Sequence, residues 1–349
     1  MLIRDLVRLC LLEPSTDAPP DLRTVLSSAT EPQWRRVLPE LDEHRLSPLV
    51  AWSLEECGLA GAVPADVLGE LRERYQGTLL ANHVHAGVLE EVLERLGEES
   101  IAPVVMKGLV LADHVYPDLG TRPMLDVDVL VAAHEADRAA DALRRLGLDR
   151  SRPWRSFQAE GEGLAVDLHA HGKDAPFGEL SELTRFVPLR SLHGRETRVW
   201  DPDAMLAHLV GHLDKHTRVV GPSLLWVLDI VLLVRERGSE FDAERVHALM
   251  GSGGGGALLP AILRFAAELC AAPVPSAFEA EVERARPISL DWILRQRRLQ
   301  RWGFPRRRFY VRIGARLLRL RPREGRQWPR WHDVPNGWLD AIVDRRTIR

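Results

Sequence analysis

The stretch from Met124 to Val131, MLDVDVLV, does most to limit what this chain can fold into. Its apolar residues alternate with acids at a period of two, the pattern of a β-strand. Asp126 and Asp128 are two residues apart, so both side chains leave the same face. Carboxylates side by side repel one another unless a cation sits between them. A divalent ion is the usual cation, and Mg²⁺ takes a few carboxylates together with phosphate oxygens. An isolated acid–apolar–acid run is also common on an edge strand with one wet face, and alone it reads that way more often than as a metal site.

Its neighbours shift that balance. Residues 103–106 have strand character, and Lys107 and Gly108 follow them into an apolar, helix-like run over about 108–116. A cation and backbone N–H groups are therefore available for an anion. A turn follows around Pro117, Asp118 and Gly120. A third acid, Asp167, lies in a second strand-like stretch over 164–169. Three carboxylates on neighbouring strands, plus a glycine turn, are the parts needed for two-metal phosphoryl transfer.

These residues carry a resemblance. Lys107-Gly108, then Tyr116-Pro117-Asp118, Gly120, Arg122-Pro123-Met124 and DVDVLV, resemble the bacterial nucleotidyltransferases of family 5 in the polymerase-β superfamily. So do His208, His212, Lys215 and His216, with Leu225-Trp226 and Asp229 after them. The likeness runs over roughly residues 30 to 240. One departure is that the superfamily's Gly-Gly or Gly-Ser turn is here Lys107-Gly108, with a longer interval to Asp126. The resemblance implies a fold of the α+β class: a small mixed β-sheet of polymerase-β type, flanked by helical regions before and after it. It implies an NTP as substrate, Mg²⁺ or Mn²⁺ as cofactor, and Asp126, Asp128 and Asp167 as metal-holding and catalytic residues. Lys107, Gly108, Arg122, Lys215 and His216 are expected to hold phosphates.

Composition bounds the rest. A chain of 349 residues can bury a sizeable core, and 45% apolar with 28% charged residues is ordinary for a globular protein. The net charge of −3 conceals an asymmetry. From Arg295 onward there are 17 Arg and 4 acids, a net of +13, so the remainder carries −16. Cys10, Cys57 and Cys270 are far apart and lack metal spacing, which suits a reducing compartment. The N-terminal apolar run is short and broken by Arg4, Asp5 and Arg8, which fits neither a membrane span nor a signal peptide. A cytoplasmic protein is expected.

In chain order, residues 1–100 read as a helical region. Residues 101–200 read as the nucleotidyltransferase core: a helix over about 134–146, a strand near 154–158 and a short strand over 196–200, with 174–195 irregular. Asn82 and the histidines near it read as ordinary surface or core residues, and the resemblance adds a nucleotide-side role at Asn82. Residues 201–250 read as a helical, nucleotide-facing region, whose first helix starts at Asp201-Pro202, a good N-cap and first-turn pair. His208, His212, Lys215 and His216 share one side of that helix. They could be surface histidines or a transition-metal site, but a cationic face for phosphates fits the resemblance best. Asp229, inside an apolar helix, pairs with an Arg or Lys, orients Lys215 or His216, or touches the nucleotide. A glycine run over 251–256 marks a break before a C-terminal helical region, 257–349, rich in Arg and Trp. Its end, with an Arg-rich helix expected near 306–320, either packs on the acidic body or meets nucleic acid or a membrane surface.

The expected activity is nucleotidyl transfer from an NTP to an acceptor, a small molecule or peptide in preference to RNA. The alternative is a non-catalytic nucleotide-binding or scaffold protein that engages a partner through the basic tail.

Overall fold

Among the described residues a seven-stranded sheet is built around the DVDVLV segment. In this computed structural model the residues described are 2–12, 18–150, 156–159, 165–171, 179–189, 195–219, 221–251 and 255–301. The strands are β1 (Val104–Met106), β2 (Asp126–Val131), β3 (Leu148–Arg150), β4 (Ser156–Ala159), β5 (Ala165–Ala170), β6 (Thr184–Leu189) and β7 (Arg195–Trp200). Their order is β3-β4-β5-β2-β1-β7-β6. The sheet is mixed: β2 runs parallel to β5 and antiparallel to β1, and β1 runs parallel to β7. β2 is central and buried from Val127 to Val131, Asp128 included.

Helices surround the sheet on the sequence before and after it. The N-terminal ones are α1 (Leu2–Cys10), α2 (Pro20–Ser28), α3 (Glu31–Glu43), α4 (Ser47–Glu56) and α5 (Ala65–Glu98). Between the strands lie α6 (Gly108–His114) and α7 (Ala136–Arg145). After β7 come α8 (Pro202–Val219), α9 (Leu224–Arg237), α10 (Ala243–Met250), α11 (Gly255–Cys270), α12 (Glu279–Arg284) and α13 (Leu290–Arg301). This is the α+β architecture the sequence implied. One continuous core runs through all of it, from Ile3 in α1 to Leu294 in α13.

Local chemistry explains the joints. Asp201 caps α8 by accepting from the Ala204 backbone N–H at 3.0 Å, with Pro202 in the first turn. Asp118 Oδ1 accepts from the Gly120 N–H and from the Tyr75 hydroxyl, both at 2.7 Å, so the turn before β2 is pinned to α5. A Cβ on Gly120 would lie 2.7 Å from the Tyr75 ring, a distance only glycine permits. Arg245 of α10 reaches Asp201 and Asp203 at 2.7 Å, fastening α10 to the start of α8.

Some expected boundaries differ. The 174–195 stretch holds β6, which pairs antiparallel with β7 along its whole length. Its sequence, TRFVPL, has a Pro and lies at the sheet edge, where a missing N–H costs least. The break does not span the whole glycine run, because α11 begins within it at Gly255. The tail from 302 onward, with its expected helix near 306–320, lies outside the described residues. Among the described residues no helix is long and apolar enough to cross a membrane.

Candidate active site

The parallel register of β2 and β5 sets Asp128 level with Asp167, and Leu130 level with His169. Side chains two apart share a strand face, so Asp126, Asp128, Asp167 and His169 form one patch. Asp128, Asp167 and His169 each offer a ligand atom, and these atoms all lie within 4.8 Å of one another. Asp128 is the buried member, at 4% exposure. Its Oδ1 accepts from Lys107 Nζ at 2.9 Å and from His169 Nε2 at 2.8 Å. Burial opposes the charge on Asp128, yet Lys107 and His169 more than offset it and hold the carboxyl well below the usual carboxylate range. Asp126 goes the other way. Burial, the charge of Asp128 and that of Asp167 push it up to about 6, against the pull of Lys107 and Arg45.

Lys107 precedes α6 with φ 42° and ψ −110°, outside the regions a side-chain-bearing residue prefers. Backbone strain of this kind, worth about 1–3 kcal/mol, persists where the surroundings over-determine it. Here Lys107 is fixed between β1 and the Asp128 carboxylate. Gly108 begins α6. A Cβ there would meet Met124 Sδ at 3.4 Å, ordinary contact, so space alone does not demand glycine.

α8 brings its histidines toward this patch. The charges of Lys107, Asp128 and His169 all act on His208, and those of Lys107 and Asp128 act on His212. The three imidazoles stack down the helix with two tryptophans. Trp200 lies 4.6 Å from His208, and Trp226 lies 5.3 Å from His212 and 5.0 Å from His216, centroid to centroid. Burial pushes all three down, His208 and His212 far below the usual value and His216 to about 4. Burial therefore works against the expected cationic histidine face, while Lys215, among the described residues of that face, is an exposed cation.

Of the roles open to Asp229, the structure shows the ion pair, and its partner is Arg122, which was expected to hold phosphate. Arg122 Nε and Nη2 donate to Asp229 Oδ1 and Oδ2, both at 2.8 Å, and the Tyr116 hydroxyl donates to Oδ1 at 2.8 Å. Both charged residues are buried, Asp229 at 1% exposure. Burial works against the Arg122 charge, and Asp229 more than offsets it. With both carboxylate oxygens engaged, Asp229 meets Arg122 and does not orient Lys215. Arg122 in turn is consumed by that pair and not left for phosphate. It locks the turn before β2 to α9.

Sequence reading gave His169 no role. The signal was present, since His169 follows Asp167 by two residues, the same spacing that united Asp126 with Asp128. Arg45, at the turn between α3 and α4, was also missed. No local pattern links it to an acid eighty residues on.

A family model described as "uncharacterised nucleotidyltransferase" matches residues 30–271. Among solved structures, the antibiotic-resistance factor ANT(2'')-Ia in solution is 16% identical, covering 48% of this chain and 89% of that one, with a TM-score of 0.35. The crystal structure of ANT(2'')-Ia in complex with adenylyl-2''-tobramycin is also 16% identical, covering 48% and 95%, with a TM-score of 0.36. An antigenic nucleotidyltransferase-like protein from Paracoccidioides brasiliensis is 13% identical, covering 58% and 95%, with a TM-score of 0.35. No curated protein sequence matches significantly.

Proposed function

This chain belongs to the uncharacterised nucleotidyltransferase family, and from that premise we propose that it transfers a nucleoside monophosphate from an NTP to an acceptor, with Mg²⁺ or Mn²⁺ as cofactor. The observation that carries the reading is the register of β2 on β5, which aligns Asp128 with Asp167 while Asp126 shares their face. An acceptor oxygen bonds to the α-phosphorus, the bond from that phosphorus to the β-phosphate's bridging oxygen breaks, and pyrophosphate leaves. Asp167 takes the acceptor's proton.

The donors suit a divalent ion. Three ligand atoms converge within 4.8 Å, and Asp126 is short of positive charge, as its upward shift to about 6 indicates. Asp126, Asp128 and Asp167 would hold the ion, with His169 beside them, a mixed oxygen and imidazole set that Mn²⁺ accepts as well as Mg²⁺. An ion bound there stabilises charge on the attacking and leaving oxygens. Lys107 keeps Asp128 ionised and, with Lys215 of α8, would supply positive charge for phosphates. Gly108 lies next to Lys107 where phosphate would approach. His212 and His216 line the α8 side as neutral groups. The acceptor is a small molecule or peptide in preference to RNA.

The test is incubation of the full chain with each of four α-labelled NTPs, Mg²⁺ or Mn²⁺, and cell extract. A labelled acceptor and released pyrophosphate, both lost in Asp128→Asn, are expected. NTP binding without any transfer to extract components would instead favour a non-catalytic nucleotide-binding protein.

A further inference from the structure

Among the described residues β6 ends the sheet on the side away from β3. The Asp201 N–H donates to the Leu183 carbonyl at 3.0 Å, one step before the β6–β7 pairing begins. In an antiparallel pair, hydrogen-bonded and non-hydrogen-bonded residue pairs alternate. Thr184↔Trp200, Phe186↔Arg198 and Pro188↔Glu196 are therefore the non-hydrogen-bonded pairs. The backbone N–H and C=O groups of Thr184 and Phe186, and the Pro188 carbonyl, point away from β7. Among the described residues no strand pairs with that edge. Pro188 has no N–H, so the row of free donors and acceptors that starts at Thr184 ends there.

The side chains of this edge alternate in character. Phe186 is 61% exposed, an aromatic ring at a place where edges are usually guarded by charge or bulges. The Arg198 guanidinium lies 4.8 Å from its centroid, and among the described residues no carboxylate pairs with Arg198. Arg185 leaves the opposite face and meets Glu240 at 3.4 Å, an exposed ion pair that contributes little. Arg195, on the same face as Arg185, donates to the Glu90 carbonyl at 3.5 Å. β6 and β7 thus hold three arginines against one acid, Glu196, in a body that is otherwise strongly acidic. The edge also has a fixed place relative to the acid patch. Phe186, Arg198, Val104, Leu130 and His169 are level across the sheet. Phe186 therefore leaves the face that carries Asp128 and Asp167, three strand spacings or about 14 Å from β2.

We propose that β6 binds an extended peptide by strand addition, with apolar side chains packed on Phe186 alternating with acidic ones that meet Arg185. Main-chain hydrogen bonds hold a peptide docked in this way, and its alternate side chains select it. Arg198 adds positive charge behind the Phe186 ring. Charge favours this occupant over the two nearest at hand. The chain's own segment after Arg301 has 13 Arg and 4 acids, so the arginines repel it. A second copy of β6 would lay the same arginines against themselves, and like charges opposite one another destabilise a strand pair. The inference goes beyond nucleotidyl transfer: it concerns a partner, and binding needs no NTP.

The probe is a fluorescein-labelled hexapeptide of alternating glutamate and valine, titrated into the full chain and followed by anisotropy. Amide hydrogen exchange at Phe186 is read by NMR with and without it. Saturable binding is expected, and it should slow Phe186 exchange by about tenfold or more. The same peptide with lysine for glutamate, and one with N-methylated backbone amides, should each bind about tenfold weaker or worse. Phe186→Ala should weaken binding by removing the ring. Phe186→Pro should weaken it by about tenfold again, because it also removes the outward N–H and leaves a peptide carbonyl unpaired. Both variants should melt near wild type, since that N–H takes no part in the β7 ladder and an edge strand tolerates proline. No binding of the glutamate–valine peptide, equal binding of the lysine or N-methylated peptide, or equal affinities in the alanine and proline variants overturns the proposal. So does a Phe186 amide already protected in the peptide-free chain: another stretch of this chain then covers the edge, or a second copy if the protection rises with protein concentration. Oligouridine that binds more tightly than the peptide, is lost in Arg198→Gln and does not distinguish Phe186→Ala from Phe186→Pro would assign the edge to RNA instead.

Discussion

Asp126 and Asp128 look equivalent in the sequence and are opposite in the structure. Asp128 is paired with Lys107 and His169, and Asp126 is pressed toward its neutral form by burial and by its neighbours. Neutralising them should therefore have opposite effects on stability. Asp126→Asn should leave the melting temperature unchanged or raise it, because a repelled carboxylate is removed. Asp128→Asn should lower stability by about 1–3 kcal/mol, because it leaves the Lys107 ammonium without its partner. Both should abolish labelled transfer. Denaturant melts and the transfer assay on the same two preparations check this, and equal stability changes would contradict the pairing. His169 acts on the same oxygen. Groups that hydrogen-bond a metal-binding side chain typically change metal affinity by about 10–100-fold. His169→Ala should weaken Mn²⁺ binding, followed by electron paramagnetic resonance, by that order. The histidines of α8 give a pH dependence of definite sign. Their folded pKa values are depressed, so the unfolded chain binds protons that the folded chain refuses. Stability from this source is complete above the unfolded value near 6.5 and is lost as pH falls toward the folded value of about 4 at His216. Melting temperature should fall over that window, and His212→Asn with His216→Asn should flatten the fall.

Elements were legible to the extent that their chemistry is local. β2 announced itself by period two, and α8 by Asp201-Pro202. β6 was not legible, because an exposed edge strand with a Pro and two basic or aromatic outward residues has no apolar face to alternate. The site divides in the same way. The acid patch follows from strand spacing, and the register of β2 on β5 then places His169 in it. What pairs with Asp229 could not be read from spacing, because its partner Arg122 is 107 residues away in sequence. That pair ties two elements, the turn before β2 and α9, with Tyr116 from just past α6 as a third partner. A buried ion pair broken on one side leaves an uncompensated charge and typically costs about 3–5 kcal/mol. Asp229→Ala should show a loss of that size in chemical denaturation. Arg122→Met with Asp229→Leu should recover most of it, since replacing both partners with apolar groups is often close to neutral. If Asp229→Ala is as stable as wild type, α9 is not held to the β2 turn through this pair.

At the scale of the whole molecule, the sequence suggested separable regions, an N-terminal helical one ending near residue 100 and a core following it. The packing joins them. Buried residues form one cluster from α1 through α13. His44, in the turn between α3 and α4, accepts from the Leu224 N–H at the start of α9 at 3.2 Å, and Ser223 donates to its carbonyl at 3.4 Å. Arg235 of α9 donates to the carbonyls of Leu11 and Leu12, just past α1. α9 is buried along most of its length, with Leu224, Leu225, Val227 and Leu228 on the first turns. Such a helix, apolar all round, needs cover on every side. Part of that cover is the N-terminal helices and the turns that join them. A chain starting at Ile101 would therefore leave His44's partners and much of α9 uncovered. It should be insoluble or bind the dye ANS with loss of fixed tertiary structure, the signature of a compact state without specific packing. The full chain should melt over its folded part in one transition, with calorimetric and van't Hoff enthalpies in agreement. Two resolved transitions, or a folded and NTP-binding 101–301 fragment, would show that the N-terminal helices are an independent unit and that the site is complete without them.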